Sequence, residues 1–271
     1  MDNTKHAVAA TGLLVAAMRA EESARDNALF HDPFAERLAG DDGRRLLAES
    51  SSETGQPSAP IVVRTRLYDE ALLRVSASQA VILAAGMDAR SFRLPWPDGV
   101  TIYEVDQPQV IAIKEERLAG ARPRCQRVAV GVDLADDWPK AIEAKGFNPE
   151  APTIWTIEGL LQYIEAPDVD RLFARVDALS APGSVLLYDV IGKALLEAPF
   201  LQNTIEFMQK LGAPWVFGCD TPAALIESHG WSATVTDMAV PGNNWKRWAH
   251  PPIPADVPNA PRGYFVEAIK A

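Results

Sequence analysis

One stretch constrains this chain more than any other. From Ala80 it reads Ala80-Val-Ile-Leu-Ala84-Ala-Gly86-Met-Asp88, and from Thr101 it reads Thr101-Ile-Tyr-Glu104-Val-Asp106. The first segment is a short apolar run that ends in small residues and a glycine. A buried parallel strand that opens into a ligand-binding turn has this pattern. The second segment is rich in β-formers and ends in an acid. Asp106 follows Gly86 at about 20 residues, the distance at which nucleoside-binding α/β folds set an acid on the ribose hydroxyls. Small side chains at the turn let the backbone approach a ligand closely. The glycines fall short of a full G-x-G-x-x-G pattern, so the rest of the chain must separate a nucleoside site from an ordinary strand end.

Strands and helices alternate after this point. The apolar patterning predicts strands over 80–85, 101–105, 127–132, 153–157 and 184–190. Between them fall helical stretches, one with Val110, Ile111, Ile113 and Leu118 facing inward. Another carries Val169, Leu172, Phe173, Val176 and Leu179 at helical spacing. This alternation predicts a mostly parallel α/β sheet covered on both faces. The N-terminal part reads as helices over 5–20, from Pro33 to about Ala48, and over 61–75. A polar loop is expected between residues 50 and 60. Residues 192–230 read as helical, 241–261 as an irregular Pro-rich loop, and two strands near 231–237 and 263–269 close the chain. The expected organisation is a single domain: a helical cap over 1–77, a cofactor-binding core over 78–190, and substrate-side helices with closing strands over 191–271.

Three predicted strands in succession end in acids: Asp106, Asp133 and Glu158. Ligands of open parallel sheets bind outside the carboxyl ends of the strands, so these acids should meet at one crevice beside the Ala84–Gly86 turn. The competing reading is that each caps the helix that follows, which suits Asp133 better than Glu158. A formal net charge of −10 argues against a role on DNA or RNA, whose phosphates need a basic face. Two cysteines, Cys125 and Cys219, are too few for a disulfide framework or a cysteine-based metal site. No apolar run approaches the ~18 residues of a membrane span, and the start lacks a secretory layout. A cytoplasmic protein without metal, membrane or nucleic-acid partner is expected.

A ribose-bearing ligand that tolerates neighbouring acids is unlike a polyphosphate, and no G-x-x-x-x-G-K-[ST] loop is present. S-adenosylmethionine suits the crevice better, being a nucleoside with a sulfonium, an ammonium and a carboxylate. Arg64 is available for the carboxylate.

The motifs Arg64-Thr-Arg66-Leu-Tyr-Asp69, Leu83-Ala-Ala-Gly86-Met-Asp88-Ala-Arg90-Ser-Phe-Arg93, Glu104-Val-Asp106-Gln-Pro108, Val132-Asp133-Leu134 and Glu158-Gly-Leu-Leu161-Gln-Tyr163 carry a resemblance. Together they resemble the leucine carboxyl methyltransferase family, in particular its bacterial branch of S-adenosylmethionine-dependent O-methyltransferases, some of which act in polyketide tailoring. The likeness runs from about Arg19 to Val190. It implies the class I methyltransferase fold (Rossmann-like), a seven-stranded sheet whose last strand is antiparallel. It implies that Arg64 binds the cofactor carboxylate, that the Ala84–Gly86 turn passes under the methionine part, and that Asp106 holds the ribose. Asp133 and Leu134 would frame the adenine, Glu158 would contact the methionyl end, and Arg19 would match a basic residue near the family's N-terminus. Ala84 stands where many relatives have glycine, so a tighter turn contact is expected.

The implied activity is methyl transfer to an oxygen of a small-molecule acceptor, an aromatic polyketide or other specialised metabolite, by a monomer or homodimer. A carboxylate is ionised at neutral pH and needs no general base, whereas a phenol with pKa near ~10 would benefit from one. No evident base sits beside the motifs, which favours a carboxyl acceptor over a phenolic hydroxyl. Tyr163 and Gln162 are the candidates to touch the acceptor. Trp215, Trp245 and Trp248 are candidates to line its pocket. Arg90 and Arg93 are expected to pair with Asp88 and Glu104, and His229 and His250 to be structural or exposed. A NAD-dependent oxidoreductase and a non-catalytic nucleoside sensor are the alternatives of a different class.

Overall fold

In the computed structural model, which describes residues 3–55 and 58–271 (side chains from residue 10 onward), the chain opens with three helices: α1 (Asn3–Ser23), α2 (Ala35–Thr54) and α3 (Ala59–Arg74). The alternating part follows as β1 (Gln79–Leu83), α4 (Arg90–Arg93), β2 (Thr101–Asp106), α5 (Pro108–Arg117), β3 (Gln126–Gly131), α6 (Trp138–Glu143), β4 (Thr153–Ile157), α7 (Ala166–Ala178) and β5 (Val185–Ile191). The chain ends with α8 (Lys193–Leu196), α9 (Gln202–Lys210), α10 (Ala224–Glu227), β6 (Trp231–Asp237), α11 (Ala239–Asn244) and β7 (Gly263–Lys270).

The strands form one seven-stranded sheet in the order β3-β2-β1-β4-β5-β7-β6. The pairs from β3 to β5 are parallel, and β7 runs antiparallel between β5 and β6. Val81 of β1 sits between Tyr103 of β2 and Trp155 of β4. Every residue of β1 and β4 is buried, as strands covered on both faces must be. Alternation along β1 sends Val81 and Leu83 into one core and Ala80 and Ile82 into the other.

The first core is aromatic. Trp138 meets Trp155 edge-on at 6.1 Å, and Phe173 meets Tyr188 at 5.0 Å. Helix α7 reaches this core with Val169, Leu172, Phe173 and Val176, the stripe its spacing predicts. Truncating Phe173, which is fully buried, would cost about 3–5 kcal/mol in cavity and lost transfer energy. The second core, on the opposite face, holds Tyr68 of α3 against Phe265 of β7 at 5.0 Å.

The predicted α/β class and sheet are those observed, and the departures are local. Helix α2 continues to Thr54 through half of the expected 50–60 loop, and Gln56 and Pro57 lie outside the described residues. Ser50 and Thr54 are weak helix formers, but both are buried, and packing overrides propensity there. Earlier in α2 the helix breaks at Gly40, where Arg117 of α5 donates to the carbonyls of Leu38 and Ala39. The expected helical stretch over 192–230 is only partly so. Residues 213–219 are neither helix nor strand, tied by Val216 N–H to the Gln162 carbonyl at 2.7 Å and by Cys219 N–H to the Ile191 carbonyl at 2.8 Å. In the Pro-rich loop, α11 forms instead, with Pro241 in its first turn, where a missing N–H costs nothing. No helix among the described residues is long and apolar enough to cross a membrane.

Candidate functional site

The strand order reverses between β1 and β4, which opens a crevice at the carboxyl ends of both. The turn after β1 is built for close approach. Ala84 and Gly86 both adopt left-handed backbone, at φ 53° and 44°. That conformation costs an alanine roughly 1–2 kcal/mol and a glycine nothing comparable. The turn is fastened to β2 by Ala85 N–H on the Val105 carbonyl at 3.1 Å and by Gly86 N–H on Asp106 Oδ2 at 2.6 Å. Asp106 Oδ1 accepts the Gln107 N–H at 2.7 Å. Burial pushes the Asp106 carboxyl up, and the two backbone donors oppose that only in part.

Asp133, after β3, accepts Gln107 Nε2 at 2.9 Å and the Ala135 N–H at 3.0 Å. The second bond closes an Asx turn, but Asp133 does not cap the helix that follows, since α6 starts at Trp138 with Asp137 at its N-cap position. Glu158, after β4, is gripped by Arg64 Nε at 3.0 Å and by Arg90 Nη1. Gly159 follows with φ 64°, and a Cβ there would lie 2.7 Å from Arg64 Nη1, so the guanidinium occupies space that only glycine leaves. The Gly159 N–H donates to Asp189 Oδ1 at 2.7 Å.

Behind the rim lies a continuous chain of buried charges. Arg64 touches Asp189 at 3.4 Å as well as Glu158. Arg90 joins Glu158, Asp88 and Asp69, and Arg93 holds Asp69 at 2.7 Å. Asp32 links Arg93 to Arg19, and Arg19 also donates to the Met87 carbonyl. Burial works against the charges of Arg64, Arg90, Asp88 and Glu158, but their pairing prevails. Arg90 and then Arg64 hold the Glu158 carboxyl below its usual range, and Arg90 holds Asp88 well below. Asp189 is the exception: burial pushes it up more than Arg64 pulls it down. Removing one partner from such a network strands a buried charge, at about 3–5 kcal/mol.

Two cavities open on this rim. One, of about 320 Å³, is lined by Asp106, Asp133 and Leu134 together with α7. The other, of about 290 Å³, is lined by Arg19, Arg64, Ala84, Gly86, Asp106 and Glu158 at one end, and by side chains of α1, α2, α3 and α9 at the other. Ala84, Asp106, Leu160 and Tyr163 border both, so the two form one bilobed space.

The residues singled out in the sequence as cofactor-binding or acceptor-touching thus all border this space. Tyr163 is half-buried, and Gln162 is buried and fixed by its carbonyl to the segment 216–217. Burial raises the Tyr163 hydroxyl above its ordinary pKa. The pairing expected of Arg90 and Arg93 needs correction. Arg90 does bind Asp88, but Glu104 pairs with Lys114 at 2.7 Å and Arg127 at 2.8 Å, beneath the sheet. Trp215 lines the 290 Å³ cavity, but Trp245 and Trp248 pack against the second core, with Arg66 stacked 4.8 Å from the Trp245 ring. Neither His229 nor His250 lines either cavity.

One member of the site and one set of contacts escaped the sequence reading. Asp189 is a fourth strand-end acid, but Val190 and Ile191 continue the apolar run past it and disguise it as a strand interior. Arg90, Asp69 and Glu158 lie in the motifs, yet Arg90 meets both acids only because three separate elements converge.

Residues 12–177 match the family model for leucine carboxyl methyltransferase. A protein of Mycobacterium tuberculosis (strain H37Ra), named "Putative S-adenosyl-L-methionine-dependent methyltransferase", is 42% identical over 227 residues, which covers 76% of this chain and 72% of its own. A Parafrankia protein with the same descriptive name is 38% identical over 278 residues, covering 97% and 87%. This chain belongs to the leucine carboxyl methyltransferase family. Its cofactor is S-adenosylmethionine and its chemistry is methyl transfer. The class I methyltransferase fold is shared with solved structures. A DUF574 family protein from Streptomyces avermitilis superposes with a TM-score of 0.64 at 12% identity, covering 96% of this chain and 97% of its own. A "putative methyltransferase" from Thermobifida fusca gives 0.58 at 16% identity, covering 88% and 92%.

Proposed function

We propose that this member of the family transfers the methyl group of S-adenosylmethionine to a carboxyl oxygen of a small-molecule acceptor, such as an aromatic polyketide or another specialised metabolite. It would act in the cytoplasm as a monomer or homodimer, with no nucleic-acid or membrane partner.

The rim residues fit the cofactor. A carboxylate offers about four lone-pair positions, and the two backbone donors on Asp106 leave room for two ribose hydroxyls. Arg64 borders the cavity with its guanidinium and would hold the methionyl carboxylate. Glu158, kept ionised by its arginines, would take the ammonium group, and Asp133 with Leu134 would flank the adenine. Arg19 would steady the turn from the α1 side through the Met87 carbonyl. When bound, the cofactor supplies an activated methyl on a sulfonium. The chain's own residues then have to hold an acceptor oxygen in line and exclude water, which is where most of the acceleration in such a displacement arises.

The observation that carries the carboxyl reading is the state of the ionisable groups on the cavity wall. Glu158 and Asp88 are held below the usual carboxylate range, which makes them poor bases. Asp189 is engaged by Arg64, the Tyr68 hydroxyl and the Gly159 N–H. Tyr163 is raised and stays protonated at neutral pH. An acceptor that arrives already ionised suits this wall. Labelled methyl donor offered with matched benzoates and phenols tests it. A base-labile methyl ester from the acids is the expected product; a stable aryl ether alone would assign the phenolic alternative instead. Binding of NAD without binding of the methyl donor would return the chain to the oxidoreductase reading.

A further inference from the structure

The far side of the 290 Å³ cavity differs from the rim in kind. Leu14 and Met18 of α1, Ile61 of α3, Leu201 just before α9 and Met208 of α9 contribute to it, α2 adds Ser50 and Thr54, and no ionisable side chain of α2 or α9 lines it. Set into this apolar wall are two buried polar atoms without a hydrogen-bond partner: Thr204 Oγ1, on α9, and Trp215 Nε1, just beyond it. The Trp215 indole lies by the Tyr163 hydroxyl without completing a hydrogen bond to it. Other unpartnered polar atoms, on Trp138, Trp155 and Thr156, belong to side chains that border neither cavity. A buried donor left unsatisfied costs about 1–3 kcal/mol, so two on one cavity wall mark where a ligand's oxygens belong.

We infer that Thr204 and Trp215 are the acceptor-binding residues, and that the acceptor is an apolar monocarboxylic acid with no second charge. This rests on the carboxyl-methyltransferase reading and names the substrate class that reading leaves open. Three features of the wall define the class. Its neutral donors can accept a carboxylate's oxygens without neutralising the nucleophile, as an arginine would. Its arginines are already committed, Arg64 to Glu158, Asp189 and, on the reading above, the cofactor's own carboxylate, and Arg19 to Asp32 and the Met87 carbonyl. Its apolar body would leave a second carboxylate or an ammonium buried without a partner, which is strongly unfavourable. Dicarboxylates, free amino acids and charged peptide ends are therefore excluded.

The test is calorimetric, on the full chain loaded with S-adenosylhomocysteine. The probes are 4-butylbenzoate and terephthalate. The loaded protein should bind 4-butylbenzoate at least tenfold more tightly than terephthalate. Thr204→Val and Trp215→Phe should each weaken 4-butylbenzoate about 5- to 20-fold, and Thr204→Ser should restore most of the loss. All three variants should hold S-adenosylhomocysteine as the parent does, which also reports that they fold. Equal binding of the two acids, no binding of 4-butylbenzoate by the loaded protein, or wild-type affinity in both variants would overturn the inference. A parent chain that does not take up S-adenosylhomocysteine would instead bring down the underlying reading of the site.

Discussion

The two ends of the central cavity are held by opposite means. At the rim, side chains from α3, α4, β4 and β5 are charged and nearly all mutually satisfied, in a chain that runs from Arg19 to Asp189. On the α9 wall, side chains are apolar and the few polar atoms include two with no partner. A site satisfied before its ligand arrives is rigid and suited to one invariant molecule. A wall with unmet donors is completed by its ligand, and its few polar atoms decide which ligand that is. Family motifs lie along the rim, and the α9 wall falls beyond the 12–177 match. This division is what a shared cofactor and a particular acceptor would produce.

The comparison can be broken most forcefully at Arg90. Arg90→Met should destabilise the fold by about 3–5 kcal/mol in denaturant titrations at neutral pH, because Asp69, Asp88 and Glu158 lose their common partner. The wild type should show the matching pH trend. Asp88 and Glu158 have carboxyls held below their ordinary values, so the stability they contribute is present above about pH 4 and is lost as pH falls toward the lowered values. A substitution on the α9 wall, such as Thr204→Val, should leave stability within about 0.5 kcal/mol.

Arg64→Gln should weaken S-adenosylmethionine by about 1.5–3 kcal/mol, the range for a hydrogen bond to a charged group, measured by calorimetry. Asp106→Asn should cost about 1–3 kcal/mol of the same affinity. It should also flatten the affinity's pH dependence. In the wild type, burial raises the Asp106 carboxyl, so binding should begin to fall at a pH above the ordinary aspartate value as that group takes up its proton. The smallest effect is expected at the turn. Ala84→Gly relieves a left-handed alanine but loosens the unfolded chain, for a net gain of about 0–1 kcal/mol in thermal or denaturant unfolding.

How much of this was legible in the sequence follows the same division. Strands β1, β2 and β4 were readable because burial on both faces writes a continuous apolar run, and the acids that end β2 and β4 stand out against it. The rim could therefore be named residue by residue. Its internal wiring could not, because Arg90 reaches Glu158 across 68 positions and nothing local records the meeting. Glu104 was misassigned for that reason, its partners Lys114 and Arg127 lying on α5 and β3. The α9 wall left almost no trace. Helix α9 is short, the segment beyond it is fastened by the Val216 and Phe217 N–H groups to the Gln162 carbonyl, and a lone Thr204 in a nine-residue helix is indistinguishable from any surface threonine. Trp215 was named as a pocket-lining candidate only as one of three late tryptophans, and Trp245 and Trp248 went to the core.

The central claim is that the strand-end rim grips the nucleoside and methionyl parts of the cofactor. A crystal structure of the chain with S-adenosylhomocysteine tests it most directly. The account requires both ribose hydroxyls within hydrogen-bond distance of Asp106 and the methionyl carboxylate on Arg64. Ligand density elsewhere, with Asp106 and Arg64 contacting only the protein partners described above, would contradict it.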